Sequence, residues 1–268
     1  MTSSIKTSNP KAMLDRRAPA RLVRILLWPL VLLLWEMLVR AMDVPTYIVP
    51  APSGIVGSFA ENRSEILSNS WVTIQEIGLG LALATVCALL AGLAIHASRL
   101  LRSAFYPLMV VAQTSPKEAL APLLIIWFGY TMQPKIIMAA VIAFFPILIA
   151  TTTGLDRFDG QLRNLARSMG ATPTKTLVSF RVWAAMPSIF GGLRVGITLA
   201  TVGAVIGEFL GSDVGIGFLV LTASRRLDGD LLFASLIILV ALTLLLIGAL
   251  DRLEGRLLPH RQQTGFPQ

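Results

Sequence analysis

Seven polar side chains set inside otherwise apolar stretches are the residues best placed to do chemistry in this 268-residue sequence. They are Gln113, Thr114, Ser115, Lys117 and Glu118, followed by Arg194 and Glu208. A charge held among apolar residues defaults to a cavity or a partner, because leaving it in hydrocarbon is costly. Lys117 can attract an anion, or it can balance its neighbour Glu118. Arg194 and Glu208 lie about 21 Å apart along a helix axis, so they cannot pair with each other. On a helical wheel they fall near each other, and two readings stand. Their face lines a passage, or each side chain reaches a wet end of the helix. Glu36 and Arg40, spaced i, i+4, read as a structural ion pair.

Bond-breaking chemistry has little to work with. Histidine occurs only at His96 and His260. No His-Glu-x-x-His zinc motif and no Gly-x-Ser-x-Gly turn is present, and the phosphate-binding loop Gly-x-x-x-x-Gly-Lys-[Ser/Thr] is missing as well. Cys87 is a single cysteine with no disulfide partner and no companions for a metal site. The chain itself therefore reads as a binding and passage protein without a cofactor, not as an enzyme.

The elements that must position these residues follow from composition. Hydrophobic residues make up 54% and charged residues 14%, with a mean hydropathy of +0.72. An ordinary soluble domain carries about 25% charged residues, so this chain lacks the groups to cover a water-facing surface and reads as an all-α integral membrane protein. A bilayer core needs about 20 apolar residues per helix. Six stretches meet that need: 22–42, 77–97, 104–129, 136–155, 186–210 and 231–250. The third is interrupted by Pro107, Pro116 and Pro122.

The net charge of +8 would suggest nucleic acid in a soluble chain. Here the basic residues instead sort by loop. With the N-terminus inside, the inner segments hold sixteen Lys and Arg, and the outer segments hold Arg63, Lys135, Arg225 and Arg226. That asymmetry predicts six helices with both ends cytoplasmic, a membrane-lipid environment and no nucleic-acid partner. Residues 1–24 lead into the first helix without a small-residue cleavage site, so that helix reads as retained. The organisation is a tail over 1–21, one membrane domain over 22–258 and a tail over 259–268.

Helix five carries Gly192, Gly196, Gly203 and Gly207. At 100° per residue they fall within about 60° of arc, a stripe that lets a neighbouring backbone approach closely. Tight packing and a sliding, gating surface are both open uses for it.

The segment 156–185 spends thirty residues between the fourth and fifth stretches, far more than a connection needs. Leu162, Leu165, Ala166 and Met169 recur at helical spacing, with Arg163 and Arg167 between them. Gly170 reads as a stop, and Pro173 agrees with it. Such a short amphipathic helix lies on lipid headgroups or plugs into a cytoplasmic partner.

At this segment the sequence resembles the permeases of binding-protein-dependent ABC importers. Asn164-Leu165-Ala166-Arg167-Ser168-Met169-Gly170, with Pro187 downstream, is similar to their cytoplasmic signature. Asn164 stands where that signature has glutamate, Leu165 where it has its first alanine, and Trp183 where a proline is common. Val49-Pro50-Ala51-Pro52-Ser53 and the run from Ser115-Pro116-Lys117-Glu118-Ala119 to Ile126-Trp127-Phe128-Gly129 resemble the branch that moves nitrate, taurine, aliphatic sulfonates and thiamine precursors. The likeness covers about residues 22 to 258.

The resemblance implies a Type I importer permease in a bacterial inner membrane. It implies a coupling helix, Asn164 through Gly170 with Ala171 and Thr172, docked on a separate ATPase subunit, one of two in the complex that bind ATP and Mg. It also implies a second permease copy, taken as a homodimer, and an external solute-binding protein. The cargo would be a small anion or polar compound such as a sulfonate, taurine, nitrate or a pyrimidine-type vitamin precursor. A stand-alone secondary carrier or channel is the rival class, and it leaves the long loop without a use.

Overall fold

The computed structural model describes residues 17–157 and 180–258, together with Ser168, Gly170, Thr172 and Thr176. The described residues are helical, with no strand among them. Among the described residues, four helices are long and apolar enough to cross a membrane: Arg63–Ala97 (α3), Gln133–Asp156 (α6), Val182–Gly211 (α7) and Gly229–Leu257 (α9). They match the second, fourth, fifth and sixth apolar stretches. The first stretch belongs to the 25-residue helix Arg17–Ala41 (α1).

The third stretch is not one helix. Arg99–Thr114 (α4) ends where Ser115 turns extended, at φ −75° and ψ 137°. That is the conformation the ring of Pro116 imposes on the residue before it. A single 3₁₀ turn, Lys117–Leu120, follows, and then Ala121–Phe128 (α5), which Gly129 closes at φ +71°. Two short helices were also not expected from the apolar stretches: Pro52–Glu61 (α2) and Ile216–Arg226 (α8). The second stretch extends fourteen residues further back than its apolar window, to Arg63.

Helix α6 lies between α3 and α7. A Cβ added at Gly192 would run into Ala150, and Gly196 would meet Ile147. Gly203 would meet Ala139 and Met138, and Gly207 would meet Lys135. Residue numbers thus rise on α7 as they fall on α6, so the pair is antiparallel and packs backbone to backbone. On α3, Gly80 sits by Ala139 and Gly92 by Thr151. Here both numbers rise together, so α3 and α6 run parallel. The chain between them, α4 through α5, carries the path back from the Ala97 end to the Gln133 end.

The slab is built with small residues inside and large ones outside. The buried line of α3 includes Gly80, Ala84, Ala88 and Gly92, while Leu79, Leu83, Val86 and Leu90 face outward. Lipid tails are as apolar as leucine, so association here depends on close contact and not on hiding large side chains from water. A second apolar cluster joins α2, α3, α8 and α9 through Ile55, Ile66, Ile216, Leu219, Leu231 and Ala234.

Candidate functional site

The seven polar residues do not form one site. Lys117 opens the 3₁₀ turn, half-buried, with its Nζ 5.3 Å from the centre of the Phe145 ring. That ring belongs to α6 and makes an edge-to-face pair with Phe144 at 5.1 Å. The cation over the ring face is a favourable electrostatic contact. Glu118, Thr114 and Ser115 are exposed beside it, and both hydroxyls donate back to the Val111 carbonyl. The side chain of Gln113 lies outside the described residues. Next to Phe145, α3 and α6 leave an apolar crevice of about 380 Å³ lined by Leu83, Cys87, Ile137, Val141 and Phe144.

Arg194 faces α9. It donates to Asp251 at 2.7 Å and to Glu254, and is about half exposed. Its ion pairs staple α7 to α9 at the end where α9 carries Asp251, Arg252, Glu254 and Arg256.

Glu208 is not in a wet location at the end of α7; it is 1% exposed. The apolar window of α7 hides this because hydropathy cannot distinguish a carboxylate at a helix end from one covered by neighbouring helices. Its Oε1 accepts from the Thr73 hydroxyl at 2.6 Å, and its Oε2 accepts from the Gly217 N–H. Lys135, counted as a loop residue by the charge pattern, is likewise buried in the first turn of α6. Its ammonium meets Glu76 at 3.0 Å and donates to Ser212 Oγ at 2.6 Å. Glu76, on α3, is fully buried and adjoins Glu208.

One ammonium and two carboxylates therefore share an enclosed space. The N-terminus of α8 offsets part of the excess negative charge, since a helix start carries roughly +0.5 of an elementary charge and free N–H donors. Gly215, at φ +110°, donates to Asn69 Oδ1 at 2.5 Å, and the Ile216 N–H donates to Thr73 Oγ1 at 2.8 Å. Any Cβ at Gly217 would stand 2.6 Å from Glu208 Oε2. Asn69, Thr73, Glu76 and Lys135 were absent from the residues singled out by sequence. The signal was there: Asn69, Thr73 and Glu76 are spaced i, i+4, i+7 and share one helix face, but the apolar window begins at Ile77.

At the opposite end, the roots of the long loop are tied down. Asp156 pairs with Arg102 and stands 3.4 Å from His96 Nδ1, and Arg181 contacts the same imidazole. His96 is thus a polar-contact and packing residue at the end of α3. Of the loop positions, Ser168 is helical and Gly170 turns at φ +72°, both exposed, as is Thr172. Asn164, Leu165, Ala166, Arg167, Met169 and Ala171 lie outside the described residues.

Residues 80–260 match the family model described as binding-protein-dependent transport system inner membrane component. The chain is 33% identical over 249 residues to a formylaminopyrimidine transport permease of Halalkalibacterium halodurans, covering 92% of this chain and 99% of that one. It is 35% identical over 246 residues to a riboflavin transport system permease of Chloroflexus aurantiacus, covering 85% and 87%. A taurine transport system permease of Escherichia coli is 27% identical over 187 residues, covering 70% and 68%. With a family match over most of its length and an all-helical fold of apolar spans, this chain belongs to the binding-protein-dependent inner-membrane components: it is an ABC transporter permease.

Proposed function

We propose that this chain is the pore-forming subunit of an ATP-driven importer for a small polar or anionic solute, and that the solute is a pyrimidine-type heterocycle. The match to the inner-membrane component family carries the transport reading. The cargo reading rests on two relatives at 33% and 35% identity whose names specify a formylaminopyrimidine and riboflavin, against 27% for the taurine permease. A sulfonate or taurine is the competing cargo, to be decided by uptake.

The path crosses the membrane six times in this reading. The parallel run of α3 and α6 supports it, because a chain entering both helices from the same side must return between them. The discontinuous α4–α5 segment makes that return. Its broken backbone is tolerated only where protein or water covers it, which suits a pathway wall carrying Gln113, Thr114, Ser115, Lys117 and Glu118. Both ends of the chain are cytoplasmic, so the loop 156–185 faces the cytoplasm.

That loop docks an ATPase subunit through residues Asn164 to Thr172, and a second copy of the chain, with its own ATPase subunit, completes a homodimeric pore. ATP and Mg belong to the ATPase subunits, and an external binding protein delivers the solute. Asp156 and Arg181, tied to α3 and α4, carry the motion of the loop into the membrane helices.

The test is Gly170→Asp in the reconstituted complex. Gly170 holds a left-handed turn that side chains enter at a cost of about 1–2 kcal/mol. The variant is expected to insert and to hydrolyse ATP, with solute uptake lost. Full uptake together with recovery of the ATPase subunits on purification would contradict the coupling role.

A further inference from the structure

We infer that Asn69, Thr73, Lys135 and Glu208 are positioning residues that register the outer helix α8 to the α3–α6–α7 slab, so that α8 travels with the slab during transport. The inference rests on the transport reading above.

The α7–α8 turn is held from three helices at once. Three consecutive N–H groups at its exit, those of Gly215, Ile216 and Gly217, donate to Asn69 and Thr73 of α3 and to Glu208 of α7. Ser212, at its entrance, accepts from Lys135 of α6 at 2.6 Å and donates to the Val214 carbonyl. A glycine stands at the N-cap, so α8 has no local capping side chain, and the N–H groups of Gly215, Ile216 and Gly217 at its start are satisfied by bonds to other helices. These bonds persist together only while the outer ends of α3, α6 and α7 keep their mutual placement.

The other side of α8 is different in kind. Ile216, Leu219 and Ala223 pack in the cluster that includes Leu231 and Ala234 of α9, Ile55 of α2 and Ile66 of α3, and the two-residue turn Leu227–Asp228 hinges α8 to α9. Apolar burial is non-directional, so that surface can slide by small steps while remaining buried. Hydrogen bonds to fixed, buried partners fall off steeply with angle and distance. When the Gly229 end of α9 moves relative to the slab, pivoting on the Arg194 ion pairs at its other end, α8 therefore stays with the directional bonds and slips on the apolar ones. The slab itself is stiff, because the α6–α7 contact is backbone on backbone at Gly192 and Gly203.

The experiment uses spin labels on two exposed positions, Ser64→Cys on α3 and Arg225→Cys on α8, with Cys87→Ser. One labelled permease per complex is assembled with its ATPase subunits and reconstituted. The Ser64–Arg225 distance distribution is then compared without nucleotide and with ATP trapped. A single distribution common to both states is expected. A shift between states overturns the inference. In the same background, Glu208→Ala is expected to add a second population, and Glu208→Gln, which keeps an acceptor for the Gly217 N–H, to remove it. An unchanged distribution in Glu208→Ala, or one that Glu208→Gln does not restore, also overturns it. ATP-driven uptake by the unlabelled complex, measured alongside, separates a failure of the transport reading from a failure of this one.

Discussion

Lys135 and Glu76 show how much a charge depends on its surroundings. Removing one member of a buried ion pair leaves the other uncompensated and costs about 3–5 kcal/mol, whereas removing both is far milder. Lys135→Met is therefore expected to lower the thermal midpoint of the detergent-purified protein sharply, and Glu76→Gln added to it to recover much of the loss. Thermal size-exclusion profiles read this directly, and a double variant as unstable as the single one would contradict the pairing. Lys117 and Arg40 make a second contrast. Arg40 is held by Glu36 at 2.6 Å and by Ser53 at 3.1 Å on an exposed surface, as its i, i+4 spacing implied. Lys117 stands in the interrupted segment beside Phe145. Lys117→Ala is expected to reduce solute uptake several-fold and Arg40→Ala to leave it near wild type; equal effects would remove Lys117 from the pathway. Sequence made Glu208 and Arg194 visible as charges among apolar residues and gave their separation. It could not supply their neighbours, because Thr73 and Gly217 meet Glu208 only through the tertiary fold.

Among the elements, α7 depends most on its glycines. A Cβ at Gly203 would lie 2.7 Å from the Ala139 Cα and 2.8 Å from the Met138 carbonyl oxygen, both backbone atoms that cannot rotate away. Gly203→Ala is expected to push α6 and α7 apart and destabilise the protein by about 1–3 kcal/mol. Gly191 has open space where its Cβ would go. Gly191→Ala is expected to be neutral or to stabilise by up to about 1 kcal/mol through helix propensity. A comparison of the two thermal midpoints checks the pair, and equal effects would contradict the backbone contact. The four glycines were legible as a stripe because a helix wheel needs only spacing. The break at Ser115–Pro116 was legible as three prolines but not as two separate helices. Helices α2 and α8 escaped notice because ten or eleven residues do not fill a bilayer. The start of α3 was missed because Asn69, Thr73 and Glu76 lower hydropathy while facing inward.

At the scale of the whole molecule, the helix directions and the loop charges agree. The parallel run of α3 and α6 and the antiparallel run of α6 and α7 fit alternate crossings, and Arg194 pairing with Asp251 fits α7 antiparallel to α9. Loop charge is the basis for the proposed sidedness, because basic residues are retained on the cytoplasmic side whatever the helices pack against. It misplaced Lys135, which composition cannot distinguish from a loop lysine. In the proposed reading the energy comes from separate ATPase subunits, and the length of 156–185 suits a docking loop. The decisive measurement is ATP hydrolysis and solute uptake by this chain in liposomes with its ATPase subunits and solute-binding protein. Hydrolysis stimulated by loaded binding protein, and uptake that stops without ATP, are the expected results. Uptake that continues with no ATPase subunit present would contradict them.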